Sequence, residues 1–426
     1  MFKKTVFPNG LKLITAPVKG TEAITVLVLL PVGSRYEAKK INGASHFIEH
    51  LLFKGTEKRP NNLVIAKELD GLGAEYNAFT GKDHTGYWIK VKEDRIEIAL
   101  DVLADMIFNS IFDPAEVERE RGVIAEEIKM YEDNPLFYIE DLFEQTLYGR
   151  HPLGWLISGT EEIIKKIKRD EILDFWRQFY QPNKILIVLS GAIKSKQSIL
   201  KLIQKYFSRS VETKKTRSQF QGYHLRHLPK PLINLLFRET KQVQLALGVP
   251  AYSYFHPKIE ELTLFALILG GNMSSRLFTE VRVKRGLAYF IKTNLNFYQD
   301  AGNFIIQAGL DQGKITEAIK VILDELRRIK NQGVSPEELQ RAKDYFEGKL
   351  KLALEDSAEV AGWYGKQELL IGKILTPQEK TQKIQQVTRD GIKMVARDIL
   401  KSGLNLAMIG PFKDRRLLLS ILEKRL

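Results

Sequence analysis

The chain repeats itself. Ile167-Lys168-Arg169-Asp170-Glu171-Ile172 aligns with Val387-Thr388-Arg389-Asp390-Gly391-Ile392 at an offset of 220 residues, and Arg177 and Arg397 keep that spacing. Each copy then runs from a helical pattern into a strand-like run ending in glycine, Ile187-Val188-Leu189-Ser190-Gly191 and Ala407-Met408-Ile409-Gly410, with a slip of one residue. Two amphipathic helices can match by chance, but the shared order of elements favours duplication. In 426 residues each copy is long enough to close a core of its own.

Local patterns support an α+β reading in both halves. Asn9-Gly10 between Thr5-Val6-Phe7 and Leu11-Lys12-Leu13-Ile14 predicts a hairpin with a type I′ turn, because both residues tolerate positive φ. Strands are expected at Ala23 to Leu30, Ala74 to Thr80, Thr85 to Val91 and Ile185 to Leu189. Helical periodicity marks 44–53, 63–70, 93–108, 114–132, 136–147 and 170–180. The polar, basic stretch from Ser208 to Pro231 reads as a linker. Beyond it, strands at Leu232 to Phe237 and Val243 to Gly248 precede helices at 257–269 and 274–285, then strands near 287–296 and 302–309. Ser335-Pro336-Glu337-Glu338 opens a later helix as a capping box with proline at its first position. The expected organisation is a domain at 1–210, a linker at 211–231 and a homologous domain at 232–426.

Composition narrows the function. Lys+Arg 65 against Asp+Glu 52 gives a net charge of +13, but the densest basic stretch, Lys165-Lys166-Ile167-Lys168-Arg169, lacks the interleaved aromatics of a base-stacking platform. No nucleic-acid partner is expected. The absence of cysteine removes disulfides, thiolate metal sites and thiol nucleophiles, so any metal must be held by histidine and carboxylate. The two lysines near the start are followed by no apolar signal-peptide core, and the run Ala23 to Val32 is too short to span a bilayer. A cytoplasmic protein without a membrane span is expected.

Two of the 7 histidines fall in one helical, apolar-periodic segment, His46-Phe47-Ile48-Glu49-His50. Residues at i and i+4 share a helix face, so His46 and His50 can offer imidazole nitrogens to one metal ion with Glu49 beside it. This is the H-x-x-E-H order. Zinc held this way lowers the pKa of water, and Glu49 is the candidate base that takes its proton as the water attacks a polarised carbonyl. The bland alternative, two half-buried histidines on an amphipathic helix, leaves the five-residue pattern to chance. Catalytic zinc usually has three protein ligands, and the third must here be a carboxylate or another histidine. In the helix opened by Asp113-Pro114, Glu120 and Glu127 share a face with Val117, Ile124 and Tyr131. A carboxylate on an apolar face needs a partner, which favours Glu127 over Glu126 as a buried ligand, although solvated glutamates are the ordinary reading of such a helix.

The segment Gly43-Ala44-Ser45-His46-Phe47-Ile48-Glu49-His50-Leu51-Leu52-Phe53-Lys54-Gly55-Thr56 resembles the active-site helix of the pitrilysin/insulinase family of inverted-zincin metallopeptidases, to which mitochondrial processing peptidase belongs. The resemblance covers nearly the whole chain and implies the family fold, two duplicated mixed α/β domains with antiparallel-rich sheets flanked by helices. Glu120, Arg121 and Glu127 match the downstream E-R-x-x-x-x-x-E helix, implying that Glu127 completes a zinc site with His46 and His50, one ion per chain, and that Glu120 orients a ligand histidine. Gly73-Ala74-Glu75-Tyr76-Asn77-Ala78-Phe79-Thr80 resembles the edge strand to which extended substrate adds, implying substrate contacts at Asn77, Ala78 and Phe79.

In the second half, Gly270 to Phe278 and Arg282 to Tyr289 resemble the substrate-clamping motif, so Arg282 would hold a substrate carbonyl or carboxylate and Tyr289 a developing oxyanion. Val283 stands where the family commonly has glutamate, without expected consequence for the chemistry. The implied function is a zinc-dependent endopeptidase acting on unfolded or extended peptides inside a chamber closed by dimerisation. Zinc and clamping motifs in one chain favour a homodimer, with a heterodimer with a related subunit as the alternative. A non-proteolytic assembly subunit is the competing reading. His84, His151, His224, His227 and His256 are expected to be structural or surface groups.

Overall fold

The computed structural model describes residues 2–209, 220–223 and 230–423. Most of the expected linker, and with it His224 and His227, lies outside these residues. In chain order the helices are α1 (Ala44–Leu52), α2 (Asn62–Asp70), α3 (Ile96–Asn109), α4 (Pro114–Asp133), α5 (Pro135–Tyr148), α6 (Glu161–Lys166), α7 (Arg169–Phe179), α8 (Lys196–Phe207), α9 (Ile259–Gly270), α10 (Ile315–Gln332), α11 (Pro336–Ala353), α12 (Ser357–Lys366), α13 (Pro377–Gln386), α14 (Arg389–Ile399) and α15 (Arg415–Leu422). No helix among the described residues is long and apolar enough to cross a membrane.

The chain divides into two compact units, neither contiguous in sequence. The first comprises Met1–Lys129, Trp155–Gln221 and Lys351–Ile374; the second comprises Met130–Gly154, Gly222–Leu350 and Leu375–Leu426. The first unit is built on strands β1 (Lys3–Val6), β2 (Lys12–Pro17), β3 (Ala23–Leu30), β4 (Glu75–Thr80), β5 (Thr85–Lys92) and β6 (Leu186–Gly191), in the spatial order β1-β2-β6-β3-β5-β4. Only the β2–β6 pair is parallel. The apolar run of β3, interrupted only by the buried Thr25, is explained by cover on both faces. On one face Val26 and Val28 join a core with α1, α3 and α7; on the other, Leu27 and Leu29 pack with Val360, Ala361 and Tyr364 of α12.

The second unit repeats this plan. Strands β7 (Ile233–Phe237), β8 (Gln242–Ala251), β9 (Ala288–Phe297), β10 (Gly302–Asp311) and β11 (Asn405–Gly410) lie in the order β7-β11-β8-β10-β9, which is the first sheet without β1, and again a single pair, β7–β11, is parallel. The repeated arginine has one task in both copies. Arg169 Nε donates to the carbonyl of Phe112 at 2.6 Å and Arg389 Nε to that of Val334 at 2.7 Å, each acceptor two residues before the proline that opens α4 or α11. The two halves read in the sequence are therefore copies of one α+β architecture.

Helices α5 and α12 give each unit its non-contiguous make-up. Helix α12 packs on β2, β3 and β6, whereas α5 packs on β8 and β11. A cut of the chain between 210 and 232 separates both helices from the sheets they cover. Periodicity shows that a helix has an apolar face, but not which sheet receives it.

Two local expectations differ in detail. The first hairpin forms, but Asn9 keeps negative φ and only Gly10 (φ +83) is left-handed. Pro8 fixes its own φ near −65°, which suits the second position of an ordinary type I turn. The Gly10 amide accordingly donates to the Phe7 carbonyl, and the Phe7 amide to the Leu11 carbonyl, giving a three-residue loop closed by a glycine bulge. In the second unit, the helix expected over 274–285 is widened into π-helical turns over Phe278–Val283.

Phe143 of α5 is fully buried, with its Cζ 2.8 Å from where a Cβ on Gly248 would stand. Phe143→Ala should lower the unfolding free energy by about 3–5 kcal/mol, and amide exchange should quicken first in β8 and β11. Exchange quickened in the six-stranded sheet instead would contradict the packing of α5 described here.

Candidate metal centre

Glu37 builds the start of α1. Its Oε2 accepts from the Gly43 amide at 2.7 Å and from Asn42 Nδ2 at 3.0 Å, and its Oε1 from the Ser45 amide at 2.7 Å. A carboxylate at a helix N-terminus satisfies otherwise orphaned amides and opposes the helix dipole. Gly43 enters the helix at φ +102, and a Cβ there would stand 2.5 Å from the Ser158 carbonyl, so glycine is required. Ala44, Phe47, Ile48, Leu51 and Leu52 are buried, which leaves His46, Glu49 and His50 as a half-buried stripe.

Helix α4 supplies the carboxylates. Asp113 caps its first turn, accepting from the Ala115 amide at 2.8 Å, and Pro114 occupies the first helical position. Glu120 is 1% exposed; its Oε2 lies 3.1 Å from His50 Nδ1 and its Oε1 2.6 Å from Lys54 Nζ. Against an ionised carboxylate Nδ1 must carry the proton, which turns Nε2 of His50 outward as a lone-pair donor in the neutral ring. One turn-pair further on, Glu127 Oε2 is 3.3 Å from His50 Nε2 and 3.7 Å from His46 Nε2. Ligand atoms of His46, His50 and Glu127 all lie within 4.8 Å of one another, the one such cluster among the described residues. Glu126 instead pairs with Lys129 on the exposed side of the helix.

Electrostatics bind these groups together. Burial, and then the neighbouring His50, bring His46 down to about 4. For His50 burial acts in the same sense but is outweighed by Glu120 and Glu127, which push it up to about 9. Glu127 is lowered by its hydrogen bond to His50, and Glu120 is lowered by His50 and Lys54 in spite of burial. Burial raises Glu49, against the pull of a hydrogen bond from Thr80 and the charge of His50. The donor set is two imidazoles and one carboxylate, the set that suits a borderline divalent ion such as zinc. The Nδ1 of His46 is buried without a hydrogen-bond partner among the described residues, so this ring is held by packing rather than by a second donor–acceptor pair.

The other sequence-predicted residues fall into two groups. On β4, Tyr76 and Ala78 pack toward the core that contains α1, and Thr80 reaches Glu49 on that same side, whereas the Phe79 side chain packs on the opposite face beside Leu29 and His84. Asn77 is exposed, its Oδ1 accepting from the Ala78 amide. Arg282 and Tyr289 belong to the second unit and are both exposed, with the guanidinium 4.9 Å from the Phe278 ring centre and 5.8 Å from that of Tyr289. His151 and His256 make ring contacts with Tyr223 and Tyr252, and His84 with Phe79; none joins the metal-competent cluster.

Residues 13–161 match the family described as insulinase (peptidase family M16), and residues 166–346 match the peptidase M16 inactive domain. The chain is 34% identical over 412 residues to the uncharacterized zinc protease YmxG of Bacillus subtilis, covering 96% of this chain and 98% of the relative. It is also 34% identical to the uncharacterized zinc protease SCO5738 of Streptomyces coelicolor, covering 97% and 90%. The chain belongs to the M16 peptidase family. Two solved structures share the M16 fold: a protease from Helicobacter pylori (TM-score 0.91, 24% identity, 96% and 99% covered) and a peptidase M16 inactive domain from Pseudomonas fluorescens (TM-score 0.88, 20% identity, 97% and 98% covered). The family resemblance read from the motifs is thus borne out across both halves of this M16 chain.

The sequence alone does not single out three groups that shape the surroundings of the metal-competent cluster: Glu37, Lys54 and Thr80. Thr80 ends the quoted edge strand, and its parity with Ala78 was the available signal, but its contact with Glu49 spans 31 residues and appears only in the fold.

Glu37 makes this scaffold pH-sensitive. Burial pushes its carboxyl up to about 7, although donors from Asn42, Ser45 and Gly43 pull the other way. The folded chain therefore keeps a proton that the unfolded chain releases near 4.5, so this group's contribution to stability is full below that value and is lost as pH rises through about 7. Between pH 5 and 8 the native protein should lose on the order of 2 kcal/mol relative to Glu37→Gln. Thermal unfolding of the two proteins across that range measures it, and parallel profiles would refute the linkage.

Proposed function

We propose that the protein is a zinc-dependent endopeptidase that cleaves unfolded or extended peptides. The observation that carries this reading is the convergence of His46, His50 and Glu127 within 4.8 Å, with Glu49 on the same helical stripe. Relatives 34% identical over nearly the whole chain carry the name zinc protease, which supports the same reading. His46, His50 and Glu127 would hold one zinc ion per chain, with Glu120 fixing the tautomer and orientation of His50. When bound, zinc supplies a Lewis acid that polarises the scissile carbonyl and draws the pKa of water toward neutrality.

The chain's own residues do the rest. Glu49 takes a proton from the attacking water and returns it to the departing amine, a task suited to a carboxyl raised by burial. The backbone of β4 around Asn77, Ala78 and Phe79 offers an unpaired edge, because β4 is the last strand of its sheet, and an extended peptide can add there by main-chain hydrogen bonds. Arg282 and Tyr289 grip the substrate and stabilise developing negative charge, and the guanidinium stacked near two rings is pre-positioned for this. Substrate is enclosed in a chamber formed by dimerisation, as a homodimer carrying both motif sets in each chain, in the cytoplasm.

Glu49→Gln should keep zinc and lose turnover by ~10²–10⁴ or more. His46→Ala and His50→Ala should lose the metal itself, read by zinc analysis of the purified proteins. The deciding experiment is cleavage of unstructured peptides of graded length. Cleavage by the native protein with a length ceiling, and none by zinc-replete Glu49→Gln, is expected; equal turnover by both would overturn the role of Glu49.

A further inference from the structure

Glu49 sits one residue before His50, on the stripe that faces the metal-competent cluster, yet its carboxylate is not part of that cluster. A carboxylate so placed has two fates in such a site: it can turn in and become another ligand, or it can stay apart and act as a base. The choice depends on what holds it. Thr80 Oγ1 donates to Glu49 Oε2 at 2.5 Å, and Oε1 has no hydrogen-bond partner among the described residues. One oxygen is thus tied, and one is open to accept a proton from water.

Thr80 is itself held from behind. It closes β4, and the turn that follows is pinned to the 3₁₀ turn at Ser34–Tyr36: the Ser34 amide donates to the Gly81 carbonyl at 3.1 Å, and the Arg35 amide to the Lys82 carbonyl at 3.0 Å. A Cβ on Gly33 would stand 2.1 Å from the Gly81 carbonyl, so the approach of the two segments depends on glycine there. The β-branched Thr80 has a restricted χ1, which aims its hydroxyl at little rotameric cost. A short, fixed hydroxyl on a pinned strand end is a suitable device for holding a carboxylate.

We propose that Thr80 is a positioning residue for Glu49, tying one carboxylate oxygen so that the side chain stays a proton acceptor and does not turn in as a metal ligand. The proposal rests on the peptidase reading and deepens it. Because Thr80 terminates the strand whose free edge would receive the peptide, it also ties the place of the base to the place of the substrate.

The test uses Thr80→Val, which keeps the shape and removes the hydroxyl, beside Thr80→Ser, which keeps the hydroxyl. With zinc content equal to that of the native protein, Thr80→Val should lower kcat roughly tenfold or more with KM within about twofold, and Thr80→Ser should recover most of the loss. A valine variant with native kcat, a serine variant as slow as valine, or an effect on KM alone would overturn the proposal. A second readout is independent of turnover: in an unfolding double-mutant cycle, Thr80→Val and Glu49→Ala, each of which removes the hydrogen bond, should together change stability by an amount that differs from the sum of their separate effects. Additive effects would overturn the contact. If the native protein cleaves no peptide at all, the peptidase reading fails on that control, and the unfolding cycle alone decides whether Thr80 holds Glu49.

Discussion

Three carboxylates, Glu49, Glu120 and Glu127, share one half-buried corner of the first unit with two imidazoles, and their charge must be offset for the corner to exist. Removing an ion from water costs several kcal/mol unless a partner is supplied. Lys54 and a protonated His50 supply two positive charges to three negative ones. A divalent cation displacing the His50 proton would balance the set. The same arrangement that makes Glu120 tolerable on a buried helix face, its contacts with His50 and Lys54, also makes His50 Nε2 a competent donor, so packing and chemistry are one constraint here.

The geometry of that corner is set from one short segment. Residues 33–45 reach two ways: Ser34 and Arg35 fix the turn after β4 by backbone hydrogen bonds, and Glu37 fixes the first turn of α1. Arg35 is fully buried, with its guanidinium 4.2 Å from the Phe220 ring centre and donating to the Gln221 carbonyl at 2.9 Å, so the segment is anchored in the body of the unit. The strand end that carries Thr80 and the helix that carries His46, Glu49 and His50 are therefore referenced to the same backbone. Functional groups supported on such a shared frame keep their spacing better than groups on independent loops.

How much of this the sequence reveals follows from the range of each interaction. The H-x-x-E-H spacing, the cap at Asp113-Pro114 and the buried run of β3 are local, and patterns within a few residues display them. The duplication is legible because the same arginine performs the same task in both copies, binding the carbonyls of Phe112 and Val334. What stays hidden is long-range: the grip of Thr80 on Glu49, the choice of His50 as the histidine that Glu120 holds, and the placement of α5 and α12. Pro8 shows a further limit, since Asn9-Gly10 alone signals a type I′ turn until the proline before it selects another.

The second copy separates what the fold demands from what the site demands. At the spacing that aligns Pro114 with Pro336, Glu120 corresponds to Ala342 and Glu127 to Lys349. Ala342 is 3% exposed, so the position is buried in both copies, but an alanine there needs no partner. Helix α9, which follows β8 as α1 follows β3, carries no histidine that could answer a buried carboxylate. The arginine–carbonyl bond before each long helix persists because the chain path requires it wherever that helix begins. The carboxylates occur only where imidazoles and Lys54 can offset them. Burial of Glu120 is thus not a requirement of the architecture, which manages without it in the second unit. It is a cost accepted in one copy alone, and what the copy gains is a histidine held with its Nε2 facing Glu127.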